Sequence, residues 1–129
     1  GVPFVIIDLN PANVRRAAAE GHHAYYGDVT SPEVLEHLAI GRAVELVIAV
    51  NDSEAVVRAI RTARGLAPGL RILARASYAA DGERLRGHGA DRIVVTEEAA
   101  ARALSEQVLL GCGVAPEAAA EAARSDADA

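Results

Sequence analysis

Phe4-Val5-Ile6-Ile7-Asp8-Leu9-Asn10-Pro11 decides how the rest of the chain is read. Four consecutive β-favouring apolar residues form a run of the kind found in strands covered on both faces, without the alternation of a half-solvated strand. The run stops at a carboxylate. Asn10 then supplies a helix N-cap and Pro11 a proline at the first helical position. A strand, an acid, a cap and a helix start within eight residues make one β-α unit, and the same succession recurs along the chain.

Reading outward, the spacing predicts a helix over 11–20 closed by Gly21, then a strand from His22 to Tyr26 ended by Gly27-Asp28. Adjacent Tyr25 and Tyr26 point to opposite faces of that strand, so at least one ring is expected in the core. Thr30-Ser31-Pro32-Glu33 repeats the cap-then-proline start, with Val34, Leu35 and Leu38 on one helical face and a stop near Gly41. Val44 to Val50 is the most strongly apolar run, and Asn51-Asp52-Ser53-Glu54 is rich in capping and acidic groups for a helix over 53–66. Pro68-Gly69 forces a turn before a strand from Leu70 to Ala74 that ends at Arg75. A helix near 80–88, a strand from Arg92 to Val95 and a long helix from Glu97 to Leu110 follow. Five β-α units predict a Rossmann-like, doubly wound parallel sheet covered on both faces. After Leu110 the residues are mostly Ala, Glu and Asp, so 1–114 is read as the domain and 115–129 as an acidic, Ala-rich tail, a frayed helix or disordered.

Composition excludes several function classes. The 129 residues are 51 % hydrophobic but only 3 % aromatic, with no Met or Trp, so Val, Ile, Leu and Ala must build the core. Every one of the 13 basic residues is Arg, against 18 Asp and Glu, for a formal net charge of −5. Backbone binding to nucleic acid usually shows a basic domain or stripe, so no nucleic-acid partner is expected. No apolar run approaches the roughly 20 residues of a membrane helix. A single cysteine, Cys112, rules out an internal disulfide and fits a reducing compartment.

In a doubly wound sheet, ligands bind beyond the carboxyl ends of the strands, where the strand order reverses. Those ends carry Asp8, Gly27-Asp28-Val29-Thr30, Asn51-Asp52, Arg75 and Thr96-Glu97. Asp8 can accept hydrogen bonds from both hydroxyls of an adenosine ribose and would repel a 2′-phosphate; alternatively Asp8 and Asn10 merely cap the helix at Pro11. Gly27 permits close backbone approach and Asp28 could meet an adenine amino group, but the same residues suit a turn and a cap. Asn51 offers a donor and an acceptor to phosphate or ribose, or it caps. Arg75 stands between alanines at a strand end, where a charge rarely lies without a partner: a ligand phosphate or carboxylate, or an acid across a subunit interface; alternatively the strand end is simply solvated. A G-x-G-x-x-G turn about 20 residues ahead of Asp8 would complete a dinucleotide fingerprint. It is not among these residues, and Gly111-Cys112-Gly113 follows a helix and reads as a stop. The four histidines have no ligand spacing, and no pattern marks Cys112 as a nucleophile, so neither a metal nor a reaction centre is expected.

Five motifs taken in order resemble one family. Val5-Ile-Ile-Asp-Leu-Asn-Pro, Tyr26-Gly-Asp-Val-Thr-Ser-Pro-Glu-Val-Leu, Val47-Ile-Ala-Val-Asn-Asp, Ile72-Leu-Ala-Arg-Ala and Gly89-Ala-Asp-Arg-Ile-Val are similar to the TrkA-N domain. This is the RCK or KTN regulatory module of potassium channels and Kef-type cation:proton antiporters. Ile-x-Ala-Arg-Ala followed by Tyr resembles the antiporter branch more than the channel branch. The resemblance implies a cytosolic, non-enzymatic domain that binds NAD(H) or AMP, forms a homodimer and gates transport. Its membrane transporter portion, on the same or an associated polypeptide, would hold it at the inner membrane. It implies Asp8 on the ribose, Asp28 and Thr30 on the adenine side, and Asn51 toward the phosphates or second ribose. Arg75 would meet the nucleotide or, in glutathione-gated members, the peptide-like effector, and Leu9, Asn10, Gly27, Val29 and Asp52 complete the implied cofactor-binding set.

Against the family pattern, the first β-α unit with its glycine-rich loop is not among these residues. In the order 3-2-1-4-5-6 that first strand is central, so its neighbours, Phe4 to Ile7 and Leu46 to Val50, are expected to have unpaired edges. The 129 residues are therefore expected to be a piece of a larger module, with the gap filled by a missing strand, a neighbouring chain or a rearranged sheet. Two other functions fit the same residues: the nucleotide-binding part of an NAD-dependent oxidoreductase, and a purely structural dimerisation domain.

Overall fold

The computed structural model describes residues 1–125. The chain alternates β1 (Val5–Asp8), α1 (Pro11–Ala19), β2 (His23–Tyr26), α2 (Pro32–His37), β3 (Glu45–Ile48), α3 (Ser53–Leu66), β4 (Arg71–Ala76), α4 (Ala79–Gly87), β5 (Arg92–Val95), α5 (Thr96–Gly111) and α6 (Pro116–Ser125). Caps explain the helix starts. Asn10 accepts from the Ala12 N–H, Ser31 from Val34 and Asp52 from Ala55, and Pro11 and Pro32 open α1 and α2. The second helix stops before Gly41: it closes at Leu38, Ala39 adopts the left-handed conformation, and a single 3-10 turn (Ile40–Arg42) follows. The fourth strand runs one residue past Arg75, because Ala76 continues the alternation that buries Ile72, Ala74 and Ala76 on one face.

All strand pairs are parallel, as the β-α alternation requires. They form two ladders, β1-β2 with Val5 opposite His23, and β3-β4-β5 with Leu46 opposite Ile72 and Ala74 opposite Ile93. Among the described residues no hydrogen-bonded ladder joins β1 to β3, so these two strands are not brought together by a rearranged sheet. The two parts meet through α2, which packs on α3, and through Thr62 of α3, whose hydroxyl donates to the Thr30 carbonyl at 3.1 Å.

The core is built on the three-stranded part. Val56, Ala59, Ile60 and Ala63 of α3 and Leu85 of α4 are buried with Leu35, Ile48, Ile72 and Ala74. Each isoleucine so buried contributes about 1.5–3 kcal/mol relative to an exposed one. Gly82 lets α4 sit against the same side, since a Cβ there would come within 3.3 Å of Ile93 Cγ2 and 3.5 Å of Val95 Cγ2.

The mixed α/β chain with parallel ladders keeps the expected fold class, while one face of the three-stranded ladder is open among the described residues. Two successive right-handed crossovers in one direction, β3 to β4 to β5, place α3 and α4 on one side of that sheet. Val47 and Val94 remain exposed. Tyr25 and Tyr26 are both exposed too, against the expectation that one would be core, because β2 is an edge strand of a two-stranded ladder. Of the two forms expected for the tail, a helix is the one described. Residues 116–125 form α6, which packs against α5 with Ala119 and Ala123 buried; alanine's small side chain allows that close approach without apolar bulk. The last four residues of the tail lie outside the described residues.

Candidate functional site

Asp8, Asp28, Asn51 and Arg75 all stand at carboxyl ends of parallel strands or in the turns that leave them. They fall into two groups. Among the described residues no side-chain hydrogen bond joins Asp8 or Asp28 to Asn51 or Arg75.

In the first group, Asp8 closes β1 and its carboxylate is held by two donors. Oδ1 accepts the Asn10 N–H at 2.7 Å and Oδ2 accepts Asn13 Nδ2 at 2.9 Å. Each oxygen keeps a free lone-pair direction, so a ribose can still be met. Asn10 is used as the N-cap of α1, and Leu9 is exposed with its side chain in solvent. Asp28 Oδ1 accepts both the Thr30 N–H at 2.8 Å and the Thr30 hydroxyl at 2.7 Å. Those two donors, with the Arg58 guanidinium adding a weaker pull, hold the Asp28 carboxyl below its ordinary range. Asp28 is therefore an anion at neutral pH with Oδ2 left for a donor.

Gly27 has a different reason from ligand approach. A Cβ there would lie 3.0 Å from Val34 Cγ1 and 3.3 Å from Ile7 Cγ2, so glycine is needed for α2 to close on β1. Val29 is half-buried and packs against the main core, and Thr30 gives its carbonyl to Thr62.

In the second group, the two readings of Asn51 separate: Asp52 caps α3, and Asn51 Oδ1 accepts a hydrogen bond from Arg75 NH1. Arg75 thus finds a neutral partner in the turn that leaves the neighbouring strand, neither an acid nor a cap. Its Nε is buried with no hydrogen-bond partner, an unmet donor beside a small cavity of about 10 Å³ lined by Asn51, Ser53, Ser77 and Asp81. Such a donor is costly unless a further acceptor is supplied. Asp81 and Ser53 are within 3.4 Å of each other, and Arg84 pairs with Glu54 at the rim.

Sequence reasoning missed Asn13 and Asp81. Asn13 had a legible signal, an amide three residues after the Asn10 cap, where a reaching-back side chain is usual. Asp81 lies in the first turn of α4 and is brought beside Ser53 only by tertiary packing. Thr96 and Glu97 begin α5, with the Thr96 hydroxyl donating to the Ala76 carbonyl at 3.2 Å. Among the described residues, no three His, Cys, Asp or Glu side chains converge as a metal site, and no helix is long and apolar enough to cross a membrane.

Comparison with known proteins gives the family and the fold. The family model of the TrkA-N domain matches residues 1–96. A putative K(+) efflux antiporter KefB of Alkalimonas amylolytica is 31 % identical over 109 residues, which is 84 % of this chain and 16 % of that protein. The chain therefore spans about a sixth of that relative's length. Two solved structures share the fold. The Kef CTD of Shewanella denitrificans in AMP-bound form superposes with a TM-score of 0.75 at 20 % identity, covering 96 % of this chain and 89 % of that one. A GsuK channel bound to NAD superposes with a TM-score of 0.73 at 25 % identity, covering 80 % of this chain and 19 % of that one.

Proposed function

This chain belongs to the TrkA-N domain family, and from that premise we propose that it is a regulatory module of a potassium or cation transport protein, cytosolic and held at the inner membrane by the transporter portion. It binds an adenine nucleotide, NAD(H) or AMP, at the carboxyl ends of its strands and gates transport. The observation that carries this reading is the succession Asp8, Asp28, Asn51 and Arg75 at four such ends. The residues fit the ligand chemically. Asp8 accepts ribose hydroxyls, Asp28 accepts the adenine amino group beside Thr30, and the Arg75 guanidinium with the Asn51 amide N–H donates to a phosphate oxygen. The NAD of the GsuK channel and the AMP of the Kef CTD support this class of ligand.

The role is binding and not catalysis, with no residue assigned to a reaction. The chain works as a homodimer. Supporting this, α5 has no buried residue, and Leu104 and Val108 expose 68 % and 64 % of their surface one turn apart. Beside it, a groove of about 350 Å³ has an apolar floor of Ile93 and Val95 and a rim balanced between Glu83, Glu98, Arg86 and Arg102. Gating then requires that nucleotide bind two arrangements of the dimer unequally; a shift from 1:99 to 99:1 needs about a 10⁴-fold difference in affinity.

Isothermal titration of the full chain with NADH, AMP and ATP tests the reading. Saturable binding at micromolar to sub-millimolar ligand is expected, and no detectable heat with any of the three at millimolar concentration would overturn it.

A further inference from the structure

Three side chains, Asp8 at the end of β1 with Asn13 and Arg16 of α1, form a relay. Asn13 donates its amide Nδ2 to Asp8 Oδ2 at 2.9 Å, and the other end of the same amide, Oδ1, accepts from Arg16 NH2 at 3.2 Å. With the Asn10 N–H on Oδ1 at 2.7 Å, Asp8 has one fixed donor on each oxygen. A carboxylate held at both oxygens cannot rotate about its terminal bond, so its two remaining lone-pair directions stay aimed at one place. Two adjacent hydroxyls match that pair of acceptors. Arg16, exposed and one turn into the helix, is at the same time tied to the amide.

We propose that Asn13 is a positioning residue that sets the site's choice of a free 2′-hydroxyl over a 2′-phosphate. It acts in two ways at once. It fixes the Asp8 carboxylate for the hydroxyl pair, and it keeps the Arg16 guanidinium from swinging toward a 2′-phosphate, whose charge Arg16 could neutralise by a forked contact. An unanchored Asp8 accepts hydroxyls less well, and a released Arg16 offsets the repulsion between Asp8 and a phosphate. The inference rests on the nucleotide-binding reading, but its readout is a ratio of affinities and not binding as such.

The probes are 5′-AMP and adenosine 2′,5′-bisphosphate, which differ only in the 2′-phosphate, titrated into the full chain and its Asn13→Ala variant. Alanine is a good helix former at this first-turn position, so the variant folds. Loss of one fixed donor is expected to weaken 5′-AMP by about fivefold. Bisphosphate affinity is expected to hold or rise, so the ratio between the two ligands falls by about tenfold. Asn13→Gln retains the amide and is expected to restore most of the ratio, while adding Arg16→Ala to Asn13→Ala removes the gain in bisphosphate affinity and leaves the loss of 5′-AMP. A purely structural Asn13 would change both affinities by one factor. That outcome, or an unchanged ratio with wild-type binding intact, overturns this inference alone, whereas wild-type failure to bind 5′-AMP overturns it together with the function it rests on.

Discussion

Arg64→Met separates the end of the sheet that holds the fold from the end proposed to hold the ligand. Arg64 reaches from α3 to the amino ends of β4 and β5. Its Nε and NH2 donate to the Gly89 carbonyl at 3.0 and 2.8 Å, and its NH1 to the Pro68 carbonyl at 2.9 Å and also to that of Leu70. NH2 further pairs with Asp91 Oδ2 at 2.6 Å, and that oxygen accepts the Ile72 N–H at 2.7 Å. Gly89 is held at φ +110°, where only glycine is at ease, so the contact fixes the entry to β5. Methionine keeps the apolar stem and removes the donors. Counting only the three carbonyls at about 1 kcal/mol each, and discounting for a side chain still 24 % exposed, the loss is about 2 kcal/mol. For a domain of this size that lowers the melting temperature by roughly 6–10 °C. Urea unfolding followed by circular dichroism measures the loss, and titration with AMP at a temperature where the variant is folded should give wild-type affinity. A loss below about 0.5 kcal/mol, or a fall in affinity of the folded variant, refutes the reasoning.

Thr30→Val removes the hydroxyl that donates to Asp28 but leaves the backbone N–H in place. Because the folded carboxyl lies below its ordinary range, its stabilisation is complete above the unfolded value, near pH 4, and is lost as pH falls through the folded one. The variant should therefore be less stable than wild type by about 1 kcal/mol at pH 7, the gap narrowing below about pH 4; a gap unchanged from pH 7 to pH 3 contradicts this. Leu104→Glu with Val108→Glu places charge on the exposed face of α5 and should convert a dimer to monomer in sedimentation without lowering the monomer's melting temperature. An unchanged sedimentation coefficient would remove that face from the interface.

The β-α order was legible because the strands are short apolar runs and α1, α2 and α3 open on a cap or a cap with proline, as at Asn10-Pro11 and Ser31-Pro32. What escaped depended on neighbours distant in sequence. The exposure of both Tyr25 and Tyr26 follows from β2 being an edge strand, which local alternation does not encode. The order of α6 follows from Ala119 and Ala123 fitting closely against α5, a gain invisible to counts of bulky residues. At the candidate site, residue types at the strand ends were readable, but their partners were not. Arg75 pairs with Asn51 across a 24-residue separation, and Gly27 serves the contact of Val34 with Ile7. Asp8 and Asp28 make the local turn bonds that a bland capping role predicts and retain acceptor capacity beyond them.

That retained capacity is the central claim, and thermal unfolding of the full chain and its Asp8→Ala variant, each with and without saturating AMP, tests it most directly. Ligand binding to the folded state stabilises by RT ln(1 + [L]/Kd), about 2.7 kcal/mol at a hundredfold excess over Kd. The account predicts a clear upward shift with AMP in the wild type and a shift mostly abolished in Asp8→Ala, whose ligand-free melting temperature changes little by comparison. An equal fall in melting temperature with and without AMP would make Asp8 a helix-start residue only and would contradict the account.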